Sequence, residues 1–168
     1  MGYRKFLLAA GVAMAIAVPA NAAPVSASTN AGGKALILIP LTITKLADLE
    51  FGTVIESSAP GSVIVPPDGT LPSVSGGVTA VASAPASRAR FAGAGTPGEL
   101  VNIFLAPPAN LKDSNGDLLP ISMSLESSNV TIDSTHAFFI GVGGTANVAA
   151  NQPDGDYTAM FTVLAQYN

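Results

Sequence analysis

Two kinds of apolar pattern divide this chain. Near the N-terminus an unbroken apolar run, Phe6 to Val18, follows Arg4 and Lys5 and is stopped by Pro19. Beyond it, apolar residues come in short stretches of strand period, bounded by Gly, Pro, Asn and Asp. Ala35–Ile39 is apolar on both faces, Pro40 interrupts it, and Leu41–Thr44 continues with strict alternation. A proline cannot donate to a ladder, so this stretch predicts two strand segments hinged at Pro40. Further strands are predicted over Leu49–Ile55, Gly61–Val65, Val78–Val81, Ile121–Leu125, Val130–Ile132, Phe138–Val142 and Ala146–Ala149. Arg88–Ala92 and Leu100–Ala106 are predicted to pair across the Gly-rich turn between them. The last strand, Tyr157 to Tyr167, puts Tyr157, Ala159, Phe161, Val163, Ala165 and Tyr167 on one face. No stretch after the N-terminal run has a helical apolar stripe. About ten short strands with regular turns predict an all-β antiparallel sandwich or barrel.

The N-terminal run has the layout of a secretory signal peptide. Arg4 and Lys5 form the charged region, and Ala20-Asn21-Ala22 offers the small residues at a cleavage site. The run is shorter than the roughly 20 apolar residues that span a bilayer. The expected organisation is therefore a signal peptide over residues 1–22, a flexible leader over 23–34, and one β-sandwich domain over 35–168. No later segment approaches spanning length, so the exported product is expected in the periplasm, on the cell surface or outside the cell.

Removing the signal peptide leaves five cations (Lys34, Lys45, Arg88, Arg90, Lys112) against eleven carboxylates. An acidic, cation-poor surface repels phosphate backbones and argues against nucleic-acid binding. The chain has no cysteine, which excludes disulfide stapling, thiolate catalysis and thiolate metal sites. Stability must come from packing and strand pairing.

Candidate chemistry is sparse. His136 is the single histidine, no Gly-x-Ser-x-Gly elbow occurs, and a surface or turn position is the expectation. Asp113, Asn115 and Asp117 place oxygen ligands like the opening of a calcium loop. However, Gly116 is misplaced and Ser124 stands where a bidentate glutamate is needed. A hairpin with a type I′ turn at Asn115-Gly116 is the stronger reading. Gly93-Ala-Gly95-Thr-Pro-Gly98 matches a dinucleotide fingerprint by letters only, because no helix follows it. Arg88 and Arg90 share one strand face, which suits an anionic contact or, more simply, a solvated edge. Asp154 and Asp156 flank Gly155 in a turn. No cofactor is expected.

Taken in order, several motifs resemble the domain-of-unknown-function 4402 family of exported bacterial proteins. They are Pro40-Leu-Thr-Ile-Thr-Lys45, Leu49-Glu-Phe-Gly-Thr53, Ile140-Gly-Val-Gly-Gly144, Gly155-Asp-Tyr157, Phe161-Thr-Val163 and Tyr167-Asn168. More loosely, the layout is similar to spore-coat-protein-U-type and archaic chaperone–usher pilins, whose incomplete Ig-like sandwich is finished by a neighbour's strand. That resemblance implies a donor segment over Ala35–Ile39 (Leu36, Ile37, Leu38, Ile39), a first strand over Leu41–Lys45, and a closing strand with Tyr157, Phe161, Val163 and Tyr167. It implies copies of the chain or related subunits as partners, and a periplasmic chaperone. Such pilins begin the first strand with a cysteine where this chain has Leu41.

The expected protein is thus an exported, non-catalytic Ig-like sandwich acting as a structural or adhesive surface subunit. The alternative is a monomeric secreted or periplasmic binding module that completes its own sandwich. Pairing of Ala35–Ile39 within its own chain, as an edge strand, stays open beside donation.

Overall fold

The computed structural model describes residues 29–168. The expected signal peptide and residues 23–28 of the leader lie outside the described residues. Residues 29–35 are exposed and carry no regular structure. From Leu36 to Asn168 the chain forms one compact unit. Among the described residues all regular structure is β, and no helix is long and apolar enough to cross a membrane.

Alternating apolar stretches become strands here because one face of each meets a common interior. Twelve are described: β1 (Thr42–Ala47), β2 (Val54–Ile55), β3 (Gly61–Val65), β4 (Ser73–Gly76), β5 (Thr79–Ala80), β6 (Ala89–Ala94), β7 (Leu100–Ala106), β8 (Asn110–Lys112), β9 (Leu118–Leu125), β10 (Asn129–Thr131), β11 (Ala137–Val148) and β12 (Thr162–Tyr167). All pairings are antiparallel. The large sheet runs β1-β6-β11-β3-β4, with β9 on the other edge of β11 and β8 beyond it. The register shows how this is possible. Val142 pairs with both Ala89 and Leu125, and Gly144–Ala146 pair with both β3 and β9. So β6 and β3 follow one another along one edge of β11, while β9 occupies the opposite edge.

Facing the large sheet is a three-stranded sheet ordered β10-β7-β12. In chain order β1, β6, β7, β9, β11 and β12 take the places A to F of an immunoglobulin-type sandwich, A-B-E-D against F-C. Two apolar cores result. One gathers Ala89, Val101, Ile103, Ile132, Phe138, Ile140 and Val142 between the sheets. The other gathers Val63, Val65, Val78, Leu119, Ala146 and Val148 where β3 and β9 flank the second half of β11.

Several expectations are corrected. β6 and β7 do not pair but lie in opposite sheets. The apolar faces of both must reach one interior, so residues 95–99 form an arch between sheets. That arch is tied down by Gly95 N–H donating to the His136 carbonyl (3.0 Å) and Gly98 N–H to that of Ile132 (2.9 Å). The two strands expected over 138–149 are the single strand β11, because Gly143 and Gly144 stay in the ladder. The strand expected over Leu49–Ile55 shrinks to a Glu50–Ser87 bridge and β2. Gly52, at φ 73°, breaks the extended run there.

The last strand begins at Thr162 rather than Tyr157. Its partner β7 stops at Ala106, and Pro107 and Pro108 cannot continue a ladder. Upstream, Thr158 bridges to Lys112 instead, and Tyr157 packs on the second core. Phe161, Val163, Ala165 and Tyr167 keep the expected inward face, whereas Ala159 is exposed. Ala35–Ile39 joins no ladder. β4 and β8 have no counterpart among the expected strands.

On the outer face of β11, Gly141 and Gly143 are roofed by residues 66–67. The Arg88 guanidinium donates to the Pro67 carbonyl and to Glu126 Oε2 (3.1 Å), and Gly141 N–H donates to the same Glu126 oxygen (3.0 Å). A Cβ at Gly141 would meet the Pro67 carbonyl, the Arg88 guanidinium and the Glu126 carboxylate together. Gly141→Ala should therefore cost about 1–3 kcal/mol by overpacking. Gly32→Ala, in open space, should stay within about 0.5 kcal/mol. Urea unfolding of both variants checks this.

Candidate functional site

One free strand edge of the sandwich, that of β12 away from β7, is backed by apolar side chains that are only half-buried. In the three-stranded sheet β7 is central and β12 terminal, and β1 is terminal in the large sheet. β12 packs over β1 while β10 packs over β11, so the free edges of β1 and β12 open on the same side. Among the described residues no strand fills this seam, where the seventh strand of an immunoglobulin-type sandwich would pair. Burial records the consequence. On central β7 the inward Val101 and Ile103 are 0% and 3% exposed, whereas inward Phe161, Val163, Ala165 and Tyr167 are only half-buried. Phe161 is held at the lower end by Phe91, edge to face with centroids 6.1 Å apart.

Tyr167 closes the upper end. Its hydroxyl donates to the Ile39 carbonyl (2.8 Å) and accepts from Thr96 N–H (2.8 Å), while Ile39 N–H donates to Thr96 Oγ1 (2.9 Å). This clasp pins the segment just before Pro40 beside the end of β12. On the N-terminal side of the clasp the segment shows its side chains to solvent: Leu36 is 67% and Ile37 90% exposed, Ile39 is exposed, and Leu38 is half-buried. Four large apolar side chains in a row, with no ladder of their own, are an unusual surface for an acidic chain. Of the expected closing-strand residues, the structure brings Phe161, Val163 and Tyr167 together along the seam and leaves Tyr157 elsewhere. There its hydroxyl donates to the Pro153 carbonyl (2.8 Å).

The other candidates have local explanations. Asp113, Asn115 and Asp117 lie in the β8–β9 hairpin loop. The Asp113 Oδ1 accepts the backbone N–H of Asn115 (3.0 Å), Gly116 (2.8 Å) and Asp117 (2.7 Å), and Oδ2 accepts Asn115 Nδ2 (3.0 Å). That carboxylate shapes the loop, and among the described residues no acidic or histidine cluster could hold a metal ion. Only Gly116 has positive φ there (99°), so the turn is not the expected type I′, which needs two such residues. His136 is exposed in the turn before β11, at φ 68°. That turn is organised by Asp133, whose carboxylate accepts from Thr135 Oγ1, Thr135 N–H and Ala137 N–H. The Thr135 hydroxyl bond, then the Ala137 amide, hold its pKa below the ordinary value. At Asp68 the Thr70 backbone N–H, then the Thr70 hydroxyl, act the same way. Arg88 belongs to the Pro67–Glu126 latch, while Arg90 is exposed beside it.

The residues the sequence did not flag are Thr96 and the phenol of Tyr167 acting on the backbone of Ile39. No local pattern announces a contact 128 positions apart. Tyr167→Phe keeps the ring but leaves the Thr96 amide without its acceptor and the Ile39 carbonyl without its donor. A loss of about 1–2 kcal/mol is expected, with faster hydrogen exchange at Thr96 and little change at Val142.

No curated protein and no solved structure matches the chain. One family profile, described as Domain of unknown function (DUF4402), matches residues 41–167. It spans the sandwich from the residue before β1 to the end of β12, the seam and the closing strand included. The chain is a member of the DUF4402 family.

Proposed function

We propose that this protein is an exported, non-catalytic structural or adhesive surface subunit whose sandwich is finished by a strand added along the free edge of β12. The observation that carries the reading is that vacant edge, with the half-open core behind it. β-Strand addition supplies backbone hydrogen bonds along the edge, and alternate side chains fill the interior. The motif at residues 1–22 supports export, and the absence of cysteine suits a body held by packing alone. No set of converging polar groups along the seam supports chemistry on a substrate.

Export is checked by N-terminal sequencing of the protein from its host. A start at Ala23 is expected, and a cytosolic product beginning at Met1 would remove the surface role.

Strand addition is checked with a fluorescent peptide of residues 33–41. It is added to intact protein whose own segment carries Ile37→Lys and Leu38→Lys, so that the groove is left unfilled. Saturable binding, abolished by Val163→Lys in the receptor, is expected. A folded receptor that ignores the peptide would refute strand addition and favour a self-sufficient binding module.

A further inference from the structure

We infer that a second site, independent of the β12 seam, takes a free fatty acid. Its alkyl chain lies in an apolar groove over the second core, and its carboxylate meets Arg90 beside Arg88. The groove follows from how the second core is covered. The cover is two irregular segments, residues 49–55 and 78–87, tied by the Glu50–Ser87 bridge and the β2–β5 pair. It stops short of β4, the terminal strand of the large sheet. Val74 marks the gap: it pairs with Val63 and shares its inward face, yet Val63 is 2% and Val74 37% exposed. A cavity of about 280 Å³ runs between β4 and the cover, lined by Phe51, Val63, Leu71, Val74, Val81 and Ala84 among others.

Its walls offer a ligand hydrocarbon and little else. Thr53 N–H donates to the Ala84 carbonyl (3.0 Å), Val81 N–H to the Thr53 carbonyl (2.9 Å) and Ala84 N–H to the Val81 carbonyl (3.1 Å). Those backbone groups are already spent within the cover. A peptide laid against them would leave its own amides unpaired, whereas an alkyl chain has none to pair. A methylene is about as large as a water molecule's ~30 Å³ share of the liquid, so the cavity holds one chain of roughly nine carbons rather than two chains.

The character changes at Leu71 and Pro72. Together with Ala86 they also line a second cavity of about 290 Å³, whose remaining lining includes Thr70, Ser87, Arg88 and Arg90. The two cavities therefore adjoin, apolar at one end and cationic at the other. Arg88 is committed to the Pro67 carbonyl and Glu126. Asp68 turns its Oδ1 to the Thr70 amide and hydroxyl (2.9 Å each). Arg90 is exposed and forms no ion pair among the described residues. A guanidinium fork without a carboxylate partner, at the mouth of a hydrocarbon groove, fits a carboxylate head.

Calorimetry of the intact protein with octanoate, decanoate and decyltrimethylammonium tests this. Saturable one-site binding of decanoate is expected, about twofold to fourfold tighter per added CH₂ from octanoate, with the cationic amphiphile of equal tail much weaker. Leu71 is 88% exposed and Arg90 is exposed, so replacing either leaves the fold intact. Arg90→Gln should weaken decanoate about fivefold, Leu71→Asp should abolish binding, and Val163→Lys in the seam should change nothing. Absence of saturable binding overturns the site. Binding lost with Val163→Lys and kept with Leu71→Asp moves the amphiphile to the seam and overturns it as well. Equal binding of both head groups, or no dependence on chain length, overturns the assignment of head and tail. Capture by phosphatidylglycerol vesicles with no binding of free decanoate overturns the free acid in favour of a membrane surface.

Discussion

β11 is the element on which the remaining structure hangs, because one edge is paired along nearly its whole length and the other pairs with β9 over Val142–Ala146. Its even-numbered residues, Phe138, Ile140 and Val142 in one half and Ala146 and Val148 in the other, line the two cores in succession. One strand spanning two cores requires two different neighbours along one edge, and β6 and β3 meet that need end to end. Where the neighbours change over, the outward positions are Gly141 and Gly143. No side chain would fit there, since the Pro67 backbone crosses directly above. The latch of Arg88, Pro67 and Glu126 then seals the exchange point. A chain without disulfides depends on such packing for its stability.

Order falls off from this centre toward one side. Ala89 on β6, Val101 and Ile103 on β7 and the inward residues of β11 are buried, whereas Phe91, Leu105 and every inward residue of β12 face the same interior and stay half-buried. An unpaired strand edge backed by apolar side chains is a hazard that proteins usually cover or blunt. Here it is neither, apart from the Tyr167 clasp at one end. The same clasp holds the most apolar segment of the described chain in solvent. A free strand edge, a half-buried interior and an exposed apolar segment thus lie side by side.

Strand existence was legible wherever alternation was long and its partners lay beside it: Gly61–Val65, Leu100–Ala106 and Ile121–Leu125 all appear close to their expected bounds. Strand ends were not. Tyr157–Tyr167 alternates over eleven residues, yet Pro107 and Pro108 on a different strand decide where its ladder begins. β4 and β8 escaped notice because their sequences, Ser-Val-Ser-Gly and Asn-Leu-Lys, become strands only by pairing with β3 and β9. The Gly-rich stretch after β6 looked like a hairpin, since nothing local tells a turn within a sheet from an arch between sheets. Of the candidate site, Leu36–Ile39 and the inward residues of the last strand were visible as apolar pattern.

The sequence by itself determined the all-β class, the absence of thiol chemistry, the acidic surface and the family, because these follow from residue type and short-range period. Only the tertiary structure decided which strands share an edge, that β12 keeps one edge free, and that Ile39 is pinned at Tyr167. These depend on pairings between residues far apart in the chain. A period-two pattern tells each residue which face to present, but it does not say which neighbour will stand beside it.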